Sequence, residues 1–185
     1  MITGKIVGWL IRQKMITSQE CELYMYAMQC FYFRIAPLLL AILVGVIMKY
    51  PIEGLILGFT ICIIRKYSGG YHANSIWGCH IVSIIVLVIG LFMMPYIHIG
   101  ICFFCSEILA ILELCVLSPM ESKNHPMVEQ EKEKYKKITK ILIMICACLE
   151  IIFLICSKTN CAIAIGNGVV ATAISQSICL IKRSE

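Results

Sequence analysis

The chain has 185 residues, of which 60% are hydrophobic and 15% are charged, with a formal net charge of +5. Soluble domains usually carry about 25% charged and about 45–50% apolar residues. Because the apolar residues also form long uncharged blocks, the composition excludes a water-soluble core. It predicts one all-α membrane domain over residues 1–185, in contact with the lipid bilayer and without a nucleic-acid partner.

Residues 1–34 are predicted to form an amphipathic region at the membrane interface. Trp9 and other apolar side chains share one helical face, and Lys5 lies among the basic side chains around it, as in a membrane-surface helix. A second helix is predicted to begin at Thr17, because Thr17 and Glu20 have capping-box spacing. This region therefore reads as an anchor that precedes the first span.

Six blocks with little or no charge follow along the chain. A spanning helix needs about 20 apolar residues, a length that only the fourth and sixth blocks reach. The shorter blocks are expected to be tilted, re-entrant or extended by flanking residues. Tight connections join the blocks in pairs, which predicts a polytopic integral membrane protein with about six membrane helices in three hairpins. The blocks are 31–48, 52–64, 81–94, 97–117, 141–156 and 161–181.

The distribution of Lys and Arg predicts the orientation in the membrane, since cytosolic loops carry an excess of both. The segments before, between and after the hairpins hold 14 of the 16 basic residues, and only Lys49 and Lys158 lie in the opposite connections. We therefore expect a multi-pass cell-membrane protein with both termini in the cytosol. The segment 65–80, here called the catalytic segment, and the segment 118–140, here called the charged loop, are expected on the same side.

The catalytic segment combines His72 and Cys79 at the end of one apolar block and the start of the next. A nucleophilic cysteine needs a nearby base, and a helix N-terminus favours the thiolate. On one straight helix the two residues would lie about 10.5 Å apart along the axis, so the segment must fold back if they act together. Three glycines supply the backbone freedom for this: Gly69, Gly70 and Gly78.

Position alone leaves other interpretations open. A His and a Cys at a membrane boundary are more often an interfacial imidazole and a buried thiol than a catalytic pair. The chain has no Asp, so the imidazole would be oriented by Asn74, Ser75, a Glu or a backbone carbonyl. Arg65, Lys136 and Lys137 are candidates for substrate binding, although the positive-inside bias explains them as well.

The run Arg65-x4-Gly70-x-His72-Ala73-x-Ser75-x3-Cys79 resembles the signature of the accessory gene regulator protein B (AgrB-like) family of membrane cysteine endopeptidases. Residues 118–126, followed by a Lys-rich run, resemble the second cytosolic loop of that family. His125 departs from the pattern there, because a Lys or Arg is more typical.

This resemblance implies that His72 and Cys79 form a catalytic dyad. The dyad would remove the C-terminal tail of an AgrD-like quorum-sensing propeptide through an acyl-enzyme on Cys79. Thiolactone or lactone cyclisation of the pheromone would follow. The backbone amides near Gly69, Gly70 and Gly78 are candidates for stabilising the oxyanion. No metal or other cofactor is expected, and homodimerisation is left open.

Two other classes of protein fit the same composition. One is a small membrane transporter or channel with a glycine-rich cytosolic gate, for which an intramembrane carboxyl group such as that of Glu107 would be a functional candidate. The other is a receptor or scaffold without chemistry. Selective labelling of Cys79 by a thiol probe, lost after His72→Ala, would favour the peptidase over both.

Overall fold

The computed structural model describes residues 2–69, 76–120 and 128–184. Across these ranges the chain forms α-helices joined by short turns, with no β-strand, which confirms the predicted all-α class. The chain divides into two compact units, Met1–Leu39 and Leu40–Glu185. The α-helices are α1 (Ile2–Arg12), α2 (Cys21–Ile47), α3 (Pro51–Ser68), α4 (Ile76–Met93), α5 (Ile101–Leu117), α6 (Glu129–Ile155) and α7 (Thr159–Ser184).

Three helices in the described ranges are long and apolar enough to cross a membrane: α2, α6, and residues Thr159–Ile181 of α7. A shorter apolar helix covers His80–Tyr96. These helices indicate a membrane protein, as the composition predicts. The six predicted apolar blocks lie on α2 to α7 in chain order.

The first unit begins with α1, followed by a 3₁₀ turn at Ser18–Glu20. The carboxylate of Glu20 accepts hydrogen bonds from the backbone N–H of Thr17 at 2.9 Å and from its hydroxyl at 2.8 Å. This contact confirms the predicted pairing of the two residues. The backbone hydrogen bond and then the hydroxyl hydrogen bond from Thr17 lower the pKa of Glu20 from its ordinary value.

α2 differs from the prediction in its continuity. The sequence suggests an interfacial helix ending near Arg34 and a separate apolar block, whereas one helix runs from Cys21 to Ile47 with Pro37 inside it. Proline lacks a backbone N–H and therefore removes one hydrogen bond from the ladder. Membrane helices tolerate this because neighbouring groups can satisfy the freed carbonyl.

The connection between α2 and α3 depends on two glycines. A Cβ atom on Gly54 would lie 2.8 Å from the carbonyl oxygen of Ala41 and 2.9 Å from the Cα of Gly45, so a larger residue does not fit there. The N–H of Tyr50 donates to the carbonyl of Gly45 at 2.7 Å, and Lys49 has a φ of 66°. Close backbone contact of this kind is typical of small residues at membrane helix interfaces.

α7 is the central helix of the second unit, since it packs against α3, α4, α5 and α6. Half of its apolar window is buried (50%), against 22% for that of α6. Its small and branched side chains allow this close packing. The buried apolar residues of α7 are Cys161, Ala162, Ile163, Ala164, Ile165, Val169 and Ala173.

Candidate active site

The catalytic segment and the charged loop contact each other where they leave the helices. The N–H of Met120 donates to the carbonyl oxygen of Ser68 at 2.9 Å, which joins the end of α3 to the chain after α5. The rings of Tyr67 and Tyr135 meet edge to face with their centroids 5.6 Å apart. Two segments that are distant in sequence are therefore neighbours in space.

Gln176 of α7 completes this contact. Its Nε2 donates to the carbonyl oxygen of Ser68 at 2.7 Å and to the hydroxyl of Ser118 at 3.0 Å. The side chain of Gln176 is fully buried, as is Ser68, and Ser118 is only 4% exposed. We call this arrangement the Ser68–Ser118–Gln176 junction. Because buried polar groups are unfavourable unless they are hydrogen-bonded, the junction favours one relative position of α3, α5 and α7.

Sequence reasoning gave Gln176 no role. The available signal was a long amide side chain near the end of an otherwise apolar block, 161–181. Such a residue in a membrane helix usually faces a neighbouring helix and makes hydrogen bonds there. Its Oε1 atom is buried and has no hydrogen-bond partner among the described residues.

Gly69 turns the chain away from α3. Its φ of 77° lies in the left-handed region that favours glycine, and its N–H donates to the carbonyl of Arg65 at 3.0 Å. A Cβ atom at this position would lie 2.6 Å from the carbonyl oxygen of Met120. Because its N–H is already used to cap α3, Gly69 contributes to the site through its conformation.

Cys79 is the fourth residue of α4 and thus belongs to its first helical turn, together with Gly78. The N-terminal turn of a helix carries a partial positive charge, which favours an anion such as a thiolate. The side chain of Cys79 lies outside the described part of the structure. The distance between His72 and Cys79 therefore stays a prediction, and four predicted site residues fall in the undescribed range 70–75: Gly70, His72, Asn74 and Ser75.

The basic residues proposed for substrate binding come from both segments. Arg65 is half-buried near the end of α3, and Lys136 and Lys137 are exposed on α6, directly after the Tyr135 that contacts Tyr67. Basic residues from both segments thus adjoin the rings of Tyr67 and Tyr135 in sequence. An acidic peptide is the kind of ligand that such a surface attracts.

Carboxyl groups inside the apolar helices contact polar groups of neighbouring helices, although Oε1 of Glu150 is buried without a hydrogen-bond partner among the described residues. Glu107 of α5 and Glu150 of α6 are buried and share a hydrogen bond. The hydroxyl of Ser177 on α7 donates to Oε1 of Glu113 on α5. These contacts join α5 to its two neighbours, and among the described residues no group of three or more His, Cys, Asp or Glu could hold a metal ion.

Comparisons with known proteins agree with the motif. The family model described as accessory gene regulator B matches residues 3–180, a range that includes both segments. Two similar curated proteins come from Clostridium perfringens: an AgrB-like protein of strain SM101 and AgrB-like protein 2 of strain 13. Each is 25% identical over 150 residues, which covers 75% of this chain and 69% of the relative. No solved structure matches the chain.

Proposed function

Because the chain belongs to the accessory gene regulator B family, we propose that it is a cysteine endopeptidase that matures a quorum-sensing propeptide in the cell membrane. Family membership gives the chain a role in the agr quorum-sensing system. The observation that carries the proposal is the position of Cys79 in the first turn of α4, where the helix N-terminus favours a thiolate.

The proposed topology has six membrane helices in three hairpins, with both termini and both segments on the cytosolic side. The 14-to-2 distribution of basic residues supports this orientation. The tight turn between α2 and α3 supports the first hairpin. A cytosolic position would also keep Cys79 reduced and therefore reactive.

In the proposed mechanism, His72 accepts the thiol proton of Cys79, and the thiolate attacks a peptide carbonyl carbon of an AgrD-like propeptide. Backbone amides near Gly70 and Gly78 stabilise the oxyanion, and Asn74 or Ser75 orients the imidazole. The C–N bond then breaks, and the C-terminal tail leaves as an amine that takes the proton from His72. The remaining peptide is held as a thioester on Cys79.

Ring closure follows from the chemistry of that thioester. A Cys or Ser side chain of the held peptide attacks the acyl carbon, forms a thiolactone or lactone, and returns the sulfur of Cys79 to its thiol form. Exchange between thioesters releases little free energy, so the site must hold the nucleophile close and exclude water. Arg65, Lys136 and Lys137 would bind the acidic tail of the propeptide.

The proposal is tested by Cys79→Ala and His72→Ala in membranes that contain the propeptide. We expect both variants to insert normally and to lose cleavage. Cys105→Ala is the matched control, since Cys105 is a free, exposed cysteine on α5. Cleavage by purified Cys79→Ala protein would overturn the proposal.

A second experiment looks for the intermediate. A peptide substrate that lacks the ring-forming Cys or Ser should accumulate on the enzyme as a thioester, which hydroxylamine releases. Mass spectrometry should locate this adduct on Cys79. An adduct on another cysteine, or none while cleavage proceeds, would exclude the proposed acyl-enzyme.

A further inference from the structure

A groove of about 350 Å³ runs between α3 and α6, with Ile165 of α7 contributing to its lining. Apart from Thr60 and Cys146, its lining side chains are hydrocarbon or aromatic. Phe59 of α3 and Ile145 of α6 line it and are about half exposed, so the groove opens on the outer surface of the helices. In a membrane protein, this surface faces lipid chains.

The tyrosine pair lies at the end of α3 next to this groove. Tyr67 follows the lining residue Ile63 by four residues, about one helical turn, and its ring contacts Tyr135 of α6. Tyrosine is enriched at the boundary between hydrocarbon and headgroups. The groove thus continues from an apolar region to a polar end.

Each of the two helices places a cation near the polar end. Lys66 follows Phe59 by seven residues, two turns on the same face and about 10.5 Å along the axis. Lys134 precedes Ile145 by eleven residues, three turns on the corresponding face of α6. Both lysines are exposed, and each adjoins one of the two tyrosines.

The orientation of Lys66 is fixed by its neighbour. Its Nζ donates to the hydroxyl of Tyr67 at 3.0 Å and lies 4.7 Å from the centroid of that ring. Residues 65–68 and 129–140, which form the two helix ends, hold seven basic residues against three acidic ones. The end of the groove is therefore cationic.

We propose that this groove binds an anionic membrane phospholipid, with one acyl chain between α3 and α6 and the phosphate between Lys66 and Lys134. The apolar lining matches the chain, and the two cations match the headgroup. This assignment does not depend on the peptidase chemistry. Bound lipid would contact the ends of α3 and α6, where Lys66 belongs to the catalytic segment and Lys134 to the charged loop.

The test uses the purified full-length chain in a neutral detergent, with native mass spectrometry to count retained phosphatidylglycerol and phosphatidylcholine. We expect preferential retention of phosphatidylglycerol. The double variant Lys66→Gln/Lys134→Gln should weaken it about thirtyfold, because each lysine contributes about 1 kcal/mol near a charged lipid. Lys158→Gln, in the turn that follows the opposite end of α6, is the matched control.

A second variant tests the acyl site without changing charge. Ile145→Trp should fill the groove and reduce phosphatidylglycerol retention, whereas Ile155→Trp, exposed at the far end of α6, should not. Equal retention of both lipids by the wild-type protein would overturn the proposal. So would unchanged retention in both groove variants, or displacement of the lipid by a helical peptide that binds more tightly in the same groove.

Discussion

Asn167 donates a hydrogen bond from Nδ2 to the carbonyl oxygen of Gly90, 3.0 Å away, and so joins the central helix α7 to the helix that carries Cys79. Position 79 precedes Gly90 by eleven residues, three helical turns, and therefore lies on the same face of α4. A Cβ atom on Gly90 would lie 2.8 Å from Cδ2 of Leu57, so this face also contacts α3. The contact fixes the rotation of α4 about its axis.

Asn167→Leu should therefore lower both stability and cleavage. Hydrogen bonds between membrane helices contribute about 0.6 kcal/mol on average and up to about 1.7 kcal/mol. A loss of this size is measurable as a lower thermal unfolding midpoint in detergent. Asn160→Leu, at the exposed start of α7, should leave both quantities unchanged, and equal effects of the two variants would contradict the assigned contact.

Gly69→Ala should destabilise the protein by about 1–2 kcal/mol, because an L-residue is strained at its positive φ. The added methyl group would also push against the carbonyl oxygen of Met120. Thermal unfolding and propeptide cleavage should both decline. Gly100→Ala is the matched control, since the nearest atom to its Cβ would be 4.0 Å away.

Gln176→Leu should leave the Ser68–Ser118–Gln176 junction without its shared donor. The expected loss is about 1–2 kcal/mol, since the buried hydroxyl of Ser118 loses its donor whereas the carbonyl of Ser68 keeps the hydrogen bond from Met120. We expect faster hydrogen exchange at the backbone amide of Met120 and slower propeptide cleavage, because the catalytic segment and the charged loop are then held together less firmly. Thr172→Val tests whether the effect is specific, because Thr172 is equally buried but donates only to Gly168 within its own helix. Similar exchange in the two variants would argue against the junction.

A thiol-reactive probe should label Cys79 faster than the cysteines that lie in the apolar helices, provided that His72 activates it. The rate at Cys79 should fall in the His72→Ala variant, while labelling of Cys102 and Cys148 stays constant. Mass spectrometry of proteolytic fragments resolves the sites. Uniform labelling of the cysteines would count against an activated nucleophile.

The contact between Thr17 and Glu20 should depend on pH. Hydrogen bonds from Thr17 lower the pKa of Glu20 from 4.5, so their stabilising effect is fully present above that value. It is lost as the pH falls through the lowered pKa and the carboxylate becomes protonated. Hydrogen-exchange protection at residues 17–20, taken relative to the intrinsic exchange rate at each pH, should fall over that range, and Glu20→Gln should remove this change in protection.

Hydropathy predicted most of the helical architecture because apolar blocks in a membrane protein must form helices. It did not predict where α3 ends. The second block stops at Ile64, but the helix continues to Ser68 through Arg65 and Lys66. Backbone hydrogen bonds carry the helix past the charged residues, and the positive φ of Gly69 ends it.

The motif predicted where chemistry should lie but not how that region is supported. Cys79 at the start of an apolar block could be read from the sequence, and α4 begins three residues before it. The contributions of Gln176 and Asn167 could not be predicted, because a single sequence does not reveal which neighbouring helix a polar side chain faces. Those pairings depend on packing around α7.

The central place of α7 sets an order of assembly during synthesis. The ribosome makes α7 after α3, α4, α5 and α6, so the contacts of these helices with α7 form last. Ser68 and Ser118 acquire their amide partner only when Gln176 emerges. The Ser68–Ser118–Gln176 junction therefore forms last, after α3 and α5 have both been made.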